Sequence, residues 1–98
     1  MRYDLNLLPA FIALMEERNV TRAAERLGMT QPALSNTLTR LRHMLRDPLF
    51  IRERYGMQPT EKAQELAPVI AAALATLDDV ILGQQEFDPA QADRKSVV

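Results

Sequence analysis

The stretch TQPALSNTLTRLR, residues 30–42, carries polar side chains that exchange hydrogen bonds readily, and it contains no acid. A carboxamide such as that of Gln31 or Asn36 can donate one bond and accept another, which matches the N6 and N7 atoms of adenine. The methyl group of a threonine suits the methyl group of thymine. The polar and basic side chains here are Gln31, Ser35, Asn36, Thr39, Arg40 and Arg42. This chemistry predicts contacts with base edges in the major groove of duplex DNA.

Helical spacing places these side chains on one face of a helix. At about 100° per residue, a buried stripe of roughly 60° is formed by Leu34, Leu38, Leu41 and Leu45. The predicted base contacts occupy the other side and are Gln31, Pro32, Ser35, Asn36 and Thr39. Thr30 is a good N-cap, Pro32 is harmless in a first turn, and the helix should end before Pro48. We therefore predict a helix over residues 31–46.

The two segments before this helix complete a helix-turn-helix. LNLLPAFIALMEERN has apolar residues at helical spacing, and we expect a helix that begins near Asn6 with Pro9 in its first turn. In NVTRAAERLGMT, we expect Thr21 to cap a helix of less than two turns, which Gly28 ends in the left-handed conformation. In such a motif the second helix enters the major groove with its N-terminus first.

A small two-stranded wing should follow the helix-turn-helix. Phe50 and Ile51 favour extended chain, the pair at 55–56, Tyr-Gly, supplies a turn, and Pro59 limits the return strand. The apolar run at 49–51 does not settle which face of the hairpin is buried.

Basic side chains around these elements are suited to the DNA backbone. Arg52 and Arg54 belong to the wing, where they can reach a phosphate or the adjacent minor groove. The amides of a helix's first turn, near Thr30, suit a phosphate oxygen. The predicted backbone and wing contacts are Arg22, Thr30, Arg40, Arg52 and Arg54. For any single arginine, simple solvation of a surface charge is an equally good interpretation.

A long apolar segment, EKAQELAPVIAAALATLDDVILG, is expected to form a helix capped by Thr60, ended by Gly83 and kinked at Pro68. Its apolar positions step by three and four residues, as in a coiled coil: Ala63, Leu66, Ile70, Ala73, Leu77 and Val80. The helix could pack on the domain's own core or on a second chain. We favour a homodimer because the pattern is longer than a small core can cover, with an interface at Leu66, Ile70, Ala73, Leu77 and Val80.

Charge is divided along the chain although the net charge is only −1. Residues 18–62 hold nine basic and four acidic side chains, whereas residues 63–93 hold six acidic and no basic ones. A basic part that faces a polyanion and an acidic part that avoids it would explain this division.

Length and composition limit the class of protein. The 98 residues suffice for one small domain and a modest core. The chain lacks cysteine, which excludes disulfides and thiolate metal sites, and no uninterrupted run of about 18 apolar residues predicts a membrane span. No secretory signal is visible, and a cytoplasmic location is expected.

Two other classes of function explain the sequence less well. An enzyme is disfavoured because the single histidine, His43, has no nucleophile or carboxylate at triad spacing, and no phosphate loop or metal set is present. A protein-interaction module built on the alanine-rich helix would account for dimerisation. It would leave the polar face of residues 31–42 unexplained.

The runs VTRAAERLGMTQPALSNTLTRLR and DPLFIRERYGMQPTEKA resemble the N-terminal DNA-binding domain of LysR-type transcriptional regulators. DLNLL and FDPA resemble the branch that contains nodulation and aromatic-degradation regulators. The resemblance implies a mainly α-helical fold, a winged helix-turn-helix with a long linker helix. It also implies a dimer formed by antiparallel linker helices on a partly palindromic promoter site, with base contacts at Gln31, Pro32, Ser35 and Asn36 and the wing arginine at Arg52.

The resemblance has consequences for specificity and for the rest of the protein. Many members have Arg where this chain has Asn36, which shifts the expected base preference from guanine towards adenine. We expect a DNA-binding domain at 1–59, a linker helix at 60–83 and a hinge at 84–98 leading to a C-terminal domain beyond this chain. That domain would bind a small-molecule effector and support a higher oligomer, and no cofactor is expected in residues 1–98.

Overall fold

The computed structural model describes residues 3–85 and is mainly helical. After a single 3-10 turn at Leu5–Leu7 come helices α1 (Leu8–Glu17), α2 (Val20–Leu27) and α3 (Gln31–Leu45). Strands β1 (Phe50–Glu53) and β2 (Gly56–Pro59) form an antiparallel hairpin, and helix α4 (Glu61–Gln85) follows. The predicted winged helix-turn-helix with a long C-terminal helix is confirmed.

The starts of the first two helices differ from the sequence prediction. The 3-10 turn precedes α1 because the Asp4 carboxylate accepts a bond from the Asn6 amide, so regular helix begins only at Leu8. Helix α2 is capped by Asn19 and not by Thr21. The Asn19 side chain accepts from the Arg22 amide at 2.9 Å, so the helix begins at Val20, two residues earlier than a cap at Thr21 would allow, and exceeds two turns. Pro9 does lie in the first turn of α1.

The core lies where α1, α3 and the wing meet. Phe11 and Phe50 are fully enclosed, with ring centroids 5.8 Å apart, and Leu14 joins them. Ala23 and Ala24 are buried, so α2 approaches its neighbours closely. Four stripe positions of α3 were predicted to be buried: Leu34, Leu38 and Leu41 are, whereas Leu45 is half-buried at the end of the helix.

The wing is fixed to the end of α1 by a close backbone contact. The Met57 amide donates to the Arg18 carbonyl at 3.2 Å, and a Cβ on Gly56 would lie 2.9 Å from that same oxygen. Gly56 also has φ of +138°, a conformation that L side chains rarely adopt. Only glycine lets the hairpin lie this close to α1.

A hydrogen-bonded corner at Asp47 joins α3, the wing and α4. The Asp47 carboxylate accepts from the Thr60 hydroxyl at 2.6 Å and from the Leu49 amide at 2.9 Å. Thr60 in turn accepts from the Ala63 amide, which confirms Thr60 as the cap of α4. The bond from Thr60, followed by that from Leu49, lowers the pKa of Asp47 below its usual value.

The Asp47 corner predicts a defined pH dependence of stability. Because the folded pKa is lowered, its stabilisation is complete above the unfolded pKa, about 3.9 for Asp, and is lost as pH falls through the folded value. Asp47→Asn should therefore be less stable than wild type at pH 6, and the difference should shrink below pH 4. Urea unfolding at both pH values measures this, with Glu65→Gln on the exposed surface of α4 as the charge-matched control. A difference that is independent of pH would contradict the prediction.

Helix α4 is longer and more exposed than a core helix. It continues through Pro68 and past Gly83, which was predicted to end it, to Gln85. Ala63 and Ile70 belong to the core, while Leu77, Val80, Ile81 and Leu82 are exposed. The predicted hinge at 84–98 lies outside the described residues, apart from its first two, which extend α4.

By length and composition alone, Glu61–Gly83 would also qualify as a membrane-crossing helix. Two adjacent carboxylates, those of Asp78 and Asp79, interrupt its apolar sequence. Each carboxylate would cost about 2.5–3.5 kcal/mol at the centre of a bilayer. Helices that pack against other parts of a protein can have the same length and apolar composition. Ala63 and Ile70 already pack into the domain's own core.

Candidate nucleic-acid interface

Helix α3 presents a polar surface to solvent above a buried apolar one. All five predicted base contacts are exposed: Gln31, Pro32, Ser35, Asn36 and Thr39. Directly beneath them, Leu34 and Leu41 are completely buried and fix the rotation of the helix. No other part of the described chain covers this face. Its exposure satisfies the main geometrical requirement for insertion into a groove of DNA.

The start of α3 is organised as a helix N-terminus that can bind an anion. The Thr30 side chain accepts from the Ala33 amide at 3.2 Å, and Pro32 lies in the first turn, as predicted. The cap uses the oxygen lone pairs of Thr30 and leaves its hydroxyl proton free to donate to a phosphate. The helix dipole favours negative charge at the same position.

Thr39 has already used its hydrogen-bond donor inside the helix. Its hydroxyl donates to the Ser35 carbonyl at 3.1 Å, as often occurs for threonine within helices. What Thr39 presents to solvent is therefore a methyl group and an acceptor oxygen. Ser35 and Asn36 retain their side-chain donors.

The wing places Arg52 beside the start of α3. Arg52 pairs across the hairpin with buried Met57, so both lie on the inner face of the wing. A shallow cavity of about 250 Å³ is lined by both Arg52 and Gln31, together with the first residues of α2 around Thr21. Arg52 and a predicted base-reading residue thus border one concave surface.

The remaining predicted backbone contacts are distributed around this surface. Arg22 is exposed in the first turn of α2, and Arg54 is exposed in the turn of the wing. Arg40 lies about 140° around α3 from Ser35. Its guanidinium is 3.5 Å from the Asp4 carboxylate, an exposed ion pair of small energy.

Arg42 in the basic segment has structural partners that the sequence did not reveal. Arg42 donates to the carbonyls of Pro48, at 2.7 Å, and of Phe50, at 3.1 Å. Its guanidinium therefore joins the last turns of α3 to the wing, whereas the sequence grouped Arg42 with the side chains suited to DNA. The available signal was the proline-containing link at 47–49, whose carbonyls need donors.

Arg26 is turned to an acidic part of the surface. Its guanidinium lies 2.6 Å from the Glu16 carboxylate and 3.3 Å from that of Glu17. The hydrogen bond and charge of Glu16 raise the pKa of Arg26 further above its usual value. The positive charge of Arg26 is therefore balanced by the two neighbouring glutamates.

The fold buries some residues of the predicted dimer interface and leaves others exposed. Ile70 is only 9% exposed because it packs into the domain's own core, and Leu66 is half-buried against that core, so Ile70 offers little surface to the predicted interface between chains. Ala73, Leu77 and Val80 remain exposed. Val69, which the repeat pattern omitted, is 66% exposed. Its spacing of seven residues from Thr76 and eleven from Val80 would have placed it on the same face of the helix.

The possible metal ligands do not cluster in residues 3–85. No group of three or more histidine, cysteine, aspartate or glutamate side chains within that range could hold a metal ion. His43 is exposed on α3 and borders a shallow hollow together with Arg46 and Asp47.

Comparisons with known proteins agree with this geometry. Residues 5–64, more than half of the chain, match the family model of bacterial regulatory helix-turn-helix proteins of the lysR family. The transcriptional activator NahR of Pseudomonas putida is 46% identical over 91 residues, which are 93% of this chain and 30% of NahR. The chain thus spans about a third of that relative's length.

Solved structures show the same architecture. The probable transcriptional regulator PA0477 from Pseudomonas aeruginosa superposes with a TM-score of 0.79 at 46% identity, over 90% of this chain and 28% of that one. BenM_DBD in a complex with catB site 1 DNA superposes with a TM-score of 0.78 at 25% identity, over 85% of this chain and 93% of that one. The chain belongs to the LysR family of bacterial helix-turn-helix regulatory proteins.

Proposed function

We propose that residues 1–59 bind duplex DNA and that the chain serves a cytoplasmic transcriptional regulator. The observation that carries this proposal is the exposed polar face of α3, held outward by Leu34 and Leu41 and bordered by the wing. The similarity to a DNA complex of BenM_DBD supports it. The relatives named as activators and regulators support a role in transcription and not in catalysis.

In the proposed complex, α3 enters the major groove with its N-terminus first. Gln31, Pro32, Ser35, Asn36 and Thr39 then face base edges. Asn36 would favour adenine, and the exposed methyl of Thr39 would contact thymine. Arg52 would reach the adjacent minor groove or its phosphates, and further backbone contacts would come from Arg22, Thr30, Arg40 and Arg54.

We also propose that the chain forms a homodimer through the predicted linker helix, residues 60–83, which corresponds to α4. Val69, Ala73, Leu77 and Val80 form an exposed apolar stripe on one side of this helix. A second antiparallel α4 would bury that stripe and place two α3 helices on a partly palindromic site. In the whole protein, residues 84–98 would lead to a domain that binds a small-molecule effector and supports higher assembly.

Salt dependence distinguishes this proposal from a pure interaction module. Binding to a random duplex should weaken steeply as salt is raised, with a slope set by the number of neutralised phosphates. A module that only dimerises would show no duplex binding at any salt concentration. Selection of bound sequences from a randomised duplex pool would then give the preferred bases and the spacing of half-sites.

Arg22→Ala tests the assignment of a backbone contact. Because phosphates carry no sequence information, the variant should bind selected and random duplexes more weakly by the same factor. The slope of log affinity against log salt should fall by about one. Fluorescence anisotropy on both duplexes measures these quantities, and Glu25→Gln, exposed on the same helix, is the control. Loss confined to the selected duplex would contradict the assignment.

A further inference from the structure

Tyr55 is a large aromatic side chain that the fold leaves almost entirely exposed. It lies in the two-residue turn between β1 and β2 and is 94% exposed, more than any other large apolar side chain in the described range. Its neighbour Arg54 is exposed as well. An aromatic ring in this position adds little to folding stability. Its chemistry is available for a contact with another molecule.

The backbone holds this turn in a definite place. The Met57 amide is bonded to the Arg18 carbonyl, and Gly56 lies against the same oxygen, so the base of the turn is fixed to α1. Strand β1 pairs with β2 over its whole length, from Phe50 with Pro59 to Glu53 with Gly56. Tyr55 therefore projects from a braced hairpin and not from a long loop.

The position of the turn relative to α3 indicates what the ring can reach. Arg52 and Gln31 border one cavity, so the inner face of the wing and the start of α3 approach the same side of a ligand. At about 3.3 Å per residue, the turn lies roughly 7 Å beyond Arg52 along the strand. With α3 in the major groove, this displacement carries Tyr55 past the groove edge onto the flanking backbone.

We propose that Tyr55 packs its ring against the deoxyribose wall of the minor groove that flanks each half-site. The sugars present apolar C–H groups there, and the adjacent guanidinium of Arg54 can neutralise the next phosphate. This contact contributes affinity and footprint length and does not read base identity. The inference rests on the proposed function, since it requires α3 to occupy the major groove.

The test uses the duplex selected from a randomised pool by wild-type protein, prepared in two lengths. One form ends at the outer edge of each half-site, and the other extends about half a turn, roughly 5 base pairs, on both sides. Tyr55→Ala should lose about fivefold in affinity for the long duplex, as expected for roughly 40 Å² of lost apolar contact. It should equal wild type on the short duplex, and Tyr55→Phe should equal wild type on both.

Ile51→Ala is the matched control. Ile51 is an exposed apolar residue of the same hairpin, 54% exposed and paired with Gln58 on the outer face. Its removal should leave both affinities unchanged, and thermal unfolding should show that all variants are folded.

Three other results would contradict the inference or the proposed function. If Tyr55→Ala matches wild type on the long duplex, the inference is overturned. If Tyr55→Phe is as weak as Tyr55→Ala, the hydroxyl and not the ring makes the contact, which also overturns it. If wild type binds no duplex at all, the proposed function itself has failed.

Discussion

Leu77→Glu should convert the protein from a dimer to a monomer. Leu77 lies on the exposed apolar stripe of α4 and is 42% exposed in the single chain. A two-fold interface would contain two such carboxylates, each removed from water without a partner, at a cost of several kcal/mol. Loss of the dimer should reduce affinity for a duplex with two half-sites by 100-fold or more, because the second half-site no longer binds intramolecularly.

Sedimentation equilibrium measures this change directly, and Leu82→Glu supplies the control. Leu82 is on the same exposed part of α4 but lies about 140° around the helix axis from Leu77, away from the stripe. Leu82→Glu should therefore remain dimeric. Because neither leucine belongs to the core, both variants should unfold like wild type. A dimeric Leu77→Glu protein would rule out the stripe as the interface.

Asn36→Ala should lower affinity for the selected duplex by about 1–3 kcal/mol and should barely change affinity for random DNA. The Asn36 carboxamide is exposed on α3, and alanine is the better helix former, so the free energy of unfolding should not decrease. Ser35→Ala should have the same sequence-dependent effect. Competition between the two duplexes separates this loss of specificity from a general loss of affinity.

A second substitution at this position makes the test sharper. Asn36→Arg should shift the preferred base at one position from adenine to guanine, because a guanidinium pairs with the O6 and N7 of guanine. Thr37→Ala, on the half-buried side of α3, should leave the base preference unchanged. If Asn36→Ala weakened binding to every duplex equally, the assignment of Asn36 as a base-reading residue would be wrong.

Local sequence signals predicted the elements and most of their ends. The apolar spacing around Leu34 and Leu41, the cap at Thr30 and the left-handed Gly28 each act within one or two turns of chain. Asn19 and Thr21 are both good capping residues two positions apart, and local rules alone do not choose between them. The structure selects Asn19, whose backbone is extended as a cap requires.

Features that depend on distant parts of the chain were not predictable. The repeat pattern on α4 identified Ile70 as apolar but could not say which chain buries it, and the domain's own core does so. The requirement for glycine at position 56 arises from the carbonyl of Arg18, 38 residues earlier, and not from the turn alone. The exposure of Gln31, Ser35 and Asn36 was predictable because it depends on the spacing of apolar residues along one helix, which is a local property.

The hydrogen bonds of Arg42 limit how the protein can adapt to different promoters. By joining α3 to the carbonyls of Pro48 and Phe50, this guanidinium restrains the wing relative to the helix. In the proposed complex, the distance from the major-groove bases to the neighbouring minor groove should then differ little between binding sites. In the proposed dimer, differences between binding sites should therefore lie in the spacing between half-sites more than within one half-site.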